Sequence, residues 1–228
     1  MNKNIIFVVV SIVIICIIWV ISSNVQPKEK VYQEELLGID YNVDGNEVRL
    51  DYDTENPVVA MYIKNYGSVV MELYPDIAPN TVNNFISLVK SGFYDENSFH
   101  RLVPGFVLQG GDPSGNGTGG PGYNIKGEFS ANGFENNLKH EKGVISMARS
   151  QDNDSAGSQF FICLEAASNL DGSYATFGRV IDGWDNIDKI VKNERVANSD
   201  SGKLAQNLTI SKAIIDLKDK QYADVIKE

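Results

Sequence analysis

Residues 58–73 read VVAMYIKNYGSVVMEL. Two short apolar runs, 58–63 and 68–73, flank Lys64, Asn65, Tyr66 and Gly67, and that pattern predicts a β-hairpin. Downstream, Val82, Phe85, Ile86 and Val89 recur at i, i+3, i+4 and i+7, the stripe of an amphipathic helix. Pro79 suits its first turn, Lys90 its last, and Gly92 the cap just beyond. Further on, glycines cut the chain into short strand-like segments at 99–102, 107–109, 144–148, 160–163 and 177–181. A second helix is predicted at 184–192, with Trp184, Ile187 and Val191 on one face, and residues 208–216 read as a closing strand. Many short strands with few helices indicate a mainly β protein, a closed barrel or a sandwich.

The rest of the composition narrows the function. The chain has 228 residues, 20 Lys+Arg against 30 Asp+Glu, and a formal net charge of −10. This length suits one domain with an appendage. The acidic balance argues against nucleic acid as a partner. Cys16 and Cys163 are the two cysteines; they make no disulfide framework and no zinc site. No metal is expected.

Residues 5–21, IIFVVVSIVIICIIWVI, are apolar apart from Ser11. At about 1.5 Å per residue such a helix nearly matches the hydrocarbon core of a bilayer. The reading is a transmembrane signal-anchor over residues 1–23, N-terminus inside, with the remainder outside the cytoplasm. The rival readings are cleavage after Ser22 or Ser23 and lipid modification of Cys16, which Ile15 before it disfavours. Residues 24–55 read as an acidic linker or stalk. Within it Asp40, Asn42, Asp44, Gly45 and Asp51 approach a calcium-loop spacing, though Asp51 stands where such loops carry Glu. The plainer reading is a solvated turn at Asp44-Gly45. The folded domain is expected over 56–217, with a tail at 218–228.

Four segments carry a more specific signal: SFHRLVPGFVLQGGD at 98–112, NGTGGPGY at 116–123, GVISMARSQDNDSAGSQFFICL at 143–164 and LDGSYATFGRV at 170–180. Together they resemble the cyclophilin family of peptidyl-prolyl isomerases, over about 57–216. The resemblance implies a closed eight-stranded antiparallel barrel capped by two helices. It also implies isomerisation of X–Pro bonds in unfolded or extended chains. The X–Pro amide rotates over a barrier of about 18–20 kcal/mol, so a site need only seat the proline, anchor its flanks and stabilise the twisted state. Neither cofactor nor nucleophile is needed, and a donor aimed at the pyramidalising nitrogen supplies differential binding.

The resemblance assigns the catalytic arginine to Arg101. Phe106, Val107, Phe161 and Leu170 would line the proline pocket, and Gln109 would touch the substrate backbone and orient Arg101. It places Gly117 and Gln159 in the extended groove, with Ala148, Arg149 and Ser150 on the strand edge facing the peptide. Tyr174 stands where many members carry His, Arg149 where Asn is common, and Val107 where Met is common. Asn169 replaces the Trp of cyclosporin-sensitive members, implying weak cyclosporin binding. The expected partners are proline-containing polypeptides, met by a monomer held to a membrane through its N-terminal helix. There it would assist the folding of extracytoplasmic proteins. A non-catalytic module holding proline-containing chains is the alternative. His100 and His140 read as structural, with no base-plus-nucleophile pair, and Cys163 as an inert strand residue.

Overall fold

A computed structural model of the protein describes residues 41–48, 50–198 and 201–228. The anchor at 1–23 and Asp40 of the calcium-like pattern lie outside the described residues. Among those described, no helix is long and apolar enough to cross a membrane.

The strands are β1 (Tyr41–Val43), β2 (Asn46–Val48), β3 (Val58–Ile63), β4 (Gly67–Leu73), β5 (Ser98–Val103), β6 (Val107–Gly110), β7 (Val144–Met147), β8 (Phe160–Cys163), β9 (Thr176–Asp182), β10 (Val196–Asn198) and β11 (Lys203–Asp216). The helices are α1 (Pro79–Lys90) and α2 (Trp184–Asn193). Eight strands close a barrel in the order β11-β3-β4-β9-β7-β8-β6-β5, with β5 pairing back onto β11. Every pairing is antiparallel. Closure leaves the barrel no free edge. β10 adds a short strand to β11 outside the ring.

Both helices form where the periodicity places them. α1 buries Val82, Phe85, Ile86 and Val89 and ends with Gly92 at φ 72°, its N–H bonded to the Val89 carbonyl. Its N-terminus has no local cap. Instead the buried Glu128 carboxylate accepts from the backbone N–H groups of Asn80 (3.0 Å) and Thr81 (2.7 Å) and from the Thr81 hydroxyl (2.6 Å). A negative charge there meets the unpaired N–H groups and the positive end of the helix dipole. On α2 the buried residues are Ile187 and Ile190, with Trp184 and Val191 packed beside them. Inside the barrel Phe85 packs against Tyr94, Phe160 and Phe177 at ring-centroid distances of 5.0–5.3 Å.

Two segments differ from the sequence reading. Residues 41–48, assigned to the stalk, are folded: β1 and β2 form a hairpin whose turn residues Asp44 (φ 52°) and Gly45 (φ 82°) are both left-handed. That is a two-residue hairpin turn, for which Asp-Gly is favoured. The Asn42 side chain accepts from the Gly45 N–H at 2.9 Å. Val48 and Leu50 then bury against Val58, Ala60, Tyr62, Val70 and Ile214 on the outside of the barrel. Residues 218–228, assigned to a tail, also lie on the barrel, with Tyr222 and Val225 packed on the main core.

Candidate functional site

Strand pairing sets out the site as a row of side chains. Arg101 on β5 pairs with Gln109 on β6, Gln109 with Phe161 on β8, and Phe161 with Ser146 on β7. Neighbouring strands are about 4.8 Å apart, so the guanidinium-bearing and ring-bearing positions stand roughly 10 Å apart at the backbone. Successive residues of a strand point to opposite faces. Phe160 therefore enters the core and Phe161 faces outward. On β5 a register shift falls between Phe99 and Arg101, making His100 an extra residue in a bulge. The bulge lets Phe99 enter the core while Arg101 faces out. Re-aiming a side chain beside a site is a common use of such bulges.

The outward apolar patch consists of Val107, Phe161, Cys163 and Ala167, with Phe106, Ala148, Leu170 and Tyr174 packed at its rim. The Tyr174 ring meets Phe161 edge-on, with centroids 5.9 Å apart. Behind Phe161 the His140 ring is stacked at 6.0 Å and 15°. All four predicted lining residues, Phe106, Val107, Phe161 and Leu170, thus fall together, with Tyr174 beside them. Burial pushes the Cys163 thiol up to about 12, so it stays protonated and unreactive at neutral pH.

Arg101 stands beside this patch. Its Nε donates to the Ser201 carbonyl at 2.7 Å and its Nη1 to Gln109 Oε1 at 3.3 Å. Gln109 Nε2 donates to Gln159 Oε1 at 3.1 Å, and Gln159 Nε2 to the carbonyls of Gly117 (3.1 Å) and Gly119 (2.9 Å). This chain fixes the guanidinium from two sides. Burial lowers the Arg101 pKa and the Tyr174 phenol opposes that shift; an arginine nonetheless remains cationic.

A groove of about 670 Å³ adjoins the patch and includes Gln109, Gly117, Ala148, Arg149, Ser150 and Gln159 in its walls. It meets the apolar patch at Ala148 and Arg101 through Gln109. The backbone beside it is tightly packed. At Gly111 (φ +85°) a Cβ would lie 2.4 Å from the Ser158 carbonyl oxygen, so no other residue fits. The Asp112 carboxylate next to it accepts from the N–H groups of Ser114 (2.7 Å), Asn116 (2.9 Å) and Thr118 (3.1 Å), and from that of Gly117. Its pKa is lowered, those backbone donors outweighing its desolvation.

Arg149 has partners of its own within the protein. Its guanidinium lies 4.7 Å from the Tyr174 ring centroid and 5.1 Å from that of Phe129. It donates to the carbonyls of Ser173, Ser150 and Gln151. The charge thus braces Tyr174 as well as walling the groove.

Some contributors are not among the predicted residues. The Ser201 carbonyl, at the tip joining β10 to β11, holds Arg101 from a loop 100 residues away. His140 forms a line with Asp171 (Nδ1 to Oδ1, 3.0 Å) and Ser146 (Nε2 to Oγ, 3.1 Å). That is the order of a hydrolytic triad, contrary to the reading that neither histidine has such partners. Ser146, however, is wholly buried behind Phe161, so no substrate carbonyl reaches its Oγ and acyl transfer is excluded. The line supports Phe161 from below. Serine, histidine and aspartate scattered over 140–171 give no sequence signal for it.

Comparison with known proteins agrees with this geometry. The family model described as cyclophilin type peptidyl-prolyl cis-trans isomerase/CLD matches residues 58–215. A peptidyl-prolyl cis-trans isomerase of Helicobacter pylori is 44% identical over 132 residues, 57% of this chain and 78% of its own length. Peptidyl-prolyl cis-trans isomerase B of Bacillus subtilis is 48% identical over 121 residues, 53% of this chain and 81% of its own. A crystal structure of a Cryptosporidium parvum cyclophilin-type isomerase, determined in the presence of the dipeptide Ala-Pro, superposes with a TM-score of 0.61. It is 33% identical, over 70% of this chain and 98% of that one.

Proposed function

The chain belongs to the cyclophilin-type peptidyl-prolyl cis-trans isomerase family and is an isomerase of that kind, and on this premise we propose how it acts and where. The proline ring of an X–Pro segment sits on the patch of Phe106, Val107, Phe161, Leu170 and Tyr174. The flanking chain lies along the groove, where Gln109, Gln159 and the Ala148–Ser150 edge meet its backbone. As the amide twists, conjugation is lost and the nitrogen gains basicity. Arg101 donates to it in that state, and no covalent bond forms.

One observation carries this reading: a cation fixed by Ser201 and Gln109 stands beside an outward apolar patch in a single cross-strand row. A donor already in place stabilises the twisted amide without reorganising. Removing one such donor typically costs about 10²–10³ in rate. In a protease-coupled assay on a proline tetrapeptide, Arg101→Ala is expected to lose that much kcat/KM while peptide affinity changes by less than about threefold. Full turnover in the variant refutes the role of Arg101.

The exposed Asn169, on the short turn Ser168–Leu170 beside the patch, leaves no indole to bond a cyclic inhibitor. Weak cyclosporin binding is the expected consequence. The setting we propose follows from residues 5–21: a membrane-anchored monomer, its domain outside the cytoplasm, catalysing slow prolyl steps in proteins that emerge unfolded. Fractionation of the expressed full-length chain tests this, and recovery of intact chain in the soluble fraction refutes it.

A further inference from the structure

Residues 217–228 run across the barrel as a strap and reach the groove. Tyr222 and Val225 pack on the core. The Asn80 side-chain amide clamps Ile226 on both sides, donating to its carbonyl at 2.9 Å and accepting from its N–H at 2.8 Å. This is the pairing a neighbouring strand gives, and it fixes the direction of the last two residues. The Glu228 N–H then donates to the Asn124 carbonyl at 2.9 Å. Lys227 Nζ lies 4.1 Å from the centroid of the Tyr123 ring. Glu228 is left in the groove wall, which also includes Ala148, Arg149 and Ser150.

We propose that this strap completes the groove and that the Glu228 carboxylate makes the enzyme prefer polypeptides with a basic side chain close to the proline. The proposal rests on the reading that the groove receives the chain flanking the proline. Among the residues lining the groove, Arg149 is the one arginine or lysine and Glu228 the one aspartate or glutamate. The Arg149 charge is stacked on two rings and bonded to three carbonyls. Glu228 has no ion pair among the described residues, so a substrate cation finds an accepting carboxylate there. Lys227, over Tyr123, is held by a ring and leaves that carboxylate unneutralised.

The test measures kcat/KM on two proline-peptide series, with Lys, Ala or Glu placed two residues before the proline in one and two residues after it in the other. An exposed ion pair shifts equilibria by about 1.5- to 5-fold. Because Lys and Glu peptides differ by two charges, the wild-type protein is expected to favour Lys over Glu by about two- to tenfold in at least one series. The preference is expected to shrink in 0.5 M salt. Glu228→Gln is expected to reduce it and Glu228→Lys to invert it. Asp188→Asn, an exposed carboxylate on α2, controls for net charge and is expected to leave it unchanged. Turnover of the Ala peptides is expected to stay within about twofold in Asp188→Asn. An identical Lys/Glu ratio in wild type and Glu228→Lys overturns the proposal, as does a loss matched by Asp188→Asn. Failure of the Arg101 assignment is read separately, from Ala-peptide turnover in Arg101→Ala.

Discussion

Replacing Gln109 by methionine separates holding the arginine from binding the chain. Methionine keeps the length of the side chain and removes both hydrogen bonds, the one accepted from Arg101 at 3.3 Å and the one donated to Gln159 at 3.1 Å. The first involves a charge, worth about 1.5–3 kcal/mol in good geometry. At 3.3 Å it is longer than the usual N–H···O range, so a loss of about 1–1.5 kcal/mol is reasonable, and at 1.4 kcal/mol per tenfold that lowers kcat by roughly 5- to 12-fold. The second bond is neutral, about 0.5–1.5 kcal/mol; losing it frees Gln159 in the groove and is expected to raise KM by about two- to fivefold. Arg101 still holds Ser201, and solvent reaches the groups released, so the fold is expected to lose less than about 1 kcal/mol, or roughly 2–4 °C in Tm. The assay is steady-state isomerisation over a range of substrate concentration, on wild type, Gln109→Met, Arg101→Ala and the double variant. Once Arg101 is gone, Gln109→Met is expected to have no further effect on kcat, because the two groups act through one contact. Two results refute the reasoning: a rise in KM with kcat unchanged, or a kcat loss from Gln109→Met as large as that from Arg101→Ala.

Stability is expected to fall in mild acid. His100 and His140 are both lowered from the usual histidine value, chiefly by burial. In the unfolded chain each takes up a proton near pH 6.5, whereas in the folded state each stays neutral to lower pH. The unfolded state thus binds more protons in that window, and stability, complete above about pH 6.5, declines as pH drops towards the folded-state values. Urea midpoints between pH 8 and pH 5 measure it, and His140→Gln is expected to flatten part of the slope. Glu128→Gln turns an amide donor towards the N-terminal N–H groups of α1, so a lost cap of about 1–2 kcal/mol and a buried unmatched donor of about 1–3 kcal/mol combine. A Tm drop of roughly 5–15 °C by calorimetry is expected.

Most of the site was legible because it is written in contiguous runs. Arg101 on β5, Phe106 in the turn after it, and Val107 and Gln109 on β6 sit within nine residues, and Gln159 and Phe161 within three at the start of β8, so strand alternation turns Val107 and Gln109 to one face. What was not legible depends on contacts distant in sequence. The bulge at His100 is a register property of two strands and has no signature within one. The Ser201 carbonyl is a backbone group, and any residue there supplies the same acceptor. The three carbonyls and two rings that brace Arg149 are likewise brought to it by the fold.

The hairpin at 41–48 is a different case, for its signal was present twice. Val48, Leu50 and Tyr52 alternate with Glu47, Arg49 and Asp51, the period of a half-buried strand, although high charge made the segment look like solvated linker. The second signal lies in β3, VVAMYI, six residues without a charge and all buried. A barrel strand facing solvent on its outer side alternates apolar with polar; an unbroken apolar run requires cover on both faces. Val59, Met61 and Ile63 fill the interior, whereas Val58, Ala60 and Tyr62 belong to the outer cluster. That cluster is closed by Val48 and Leu50, with Tyr52 at its edge donating from its hydroxyl to Asp182 at 2.5 Å. The outer face of β3 therefore requires a cover. The barrel strands alone leave an apolar surface uncovered, and the acidic segment before them is the element that covers it.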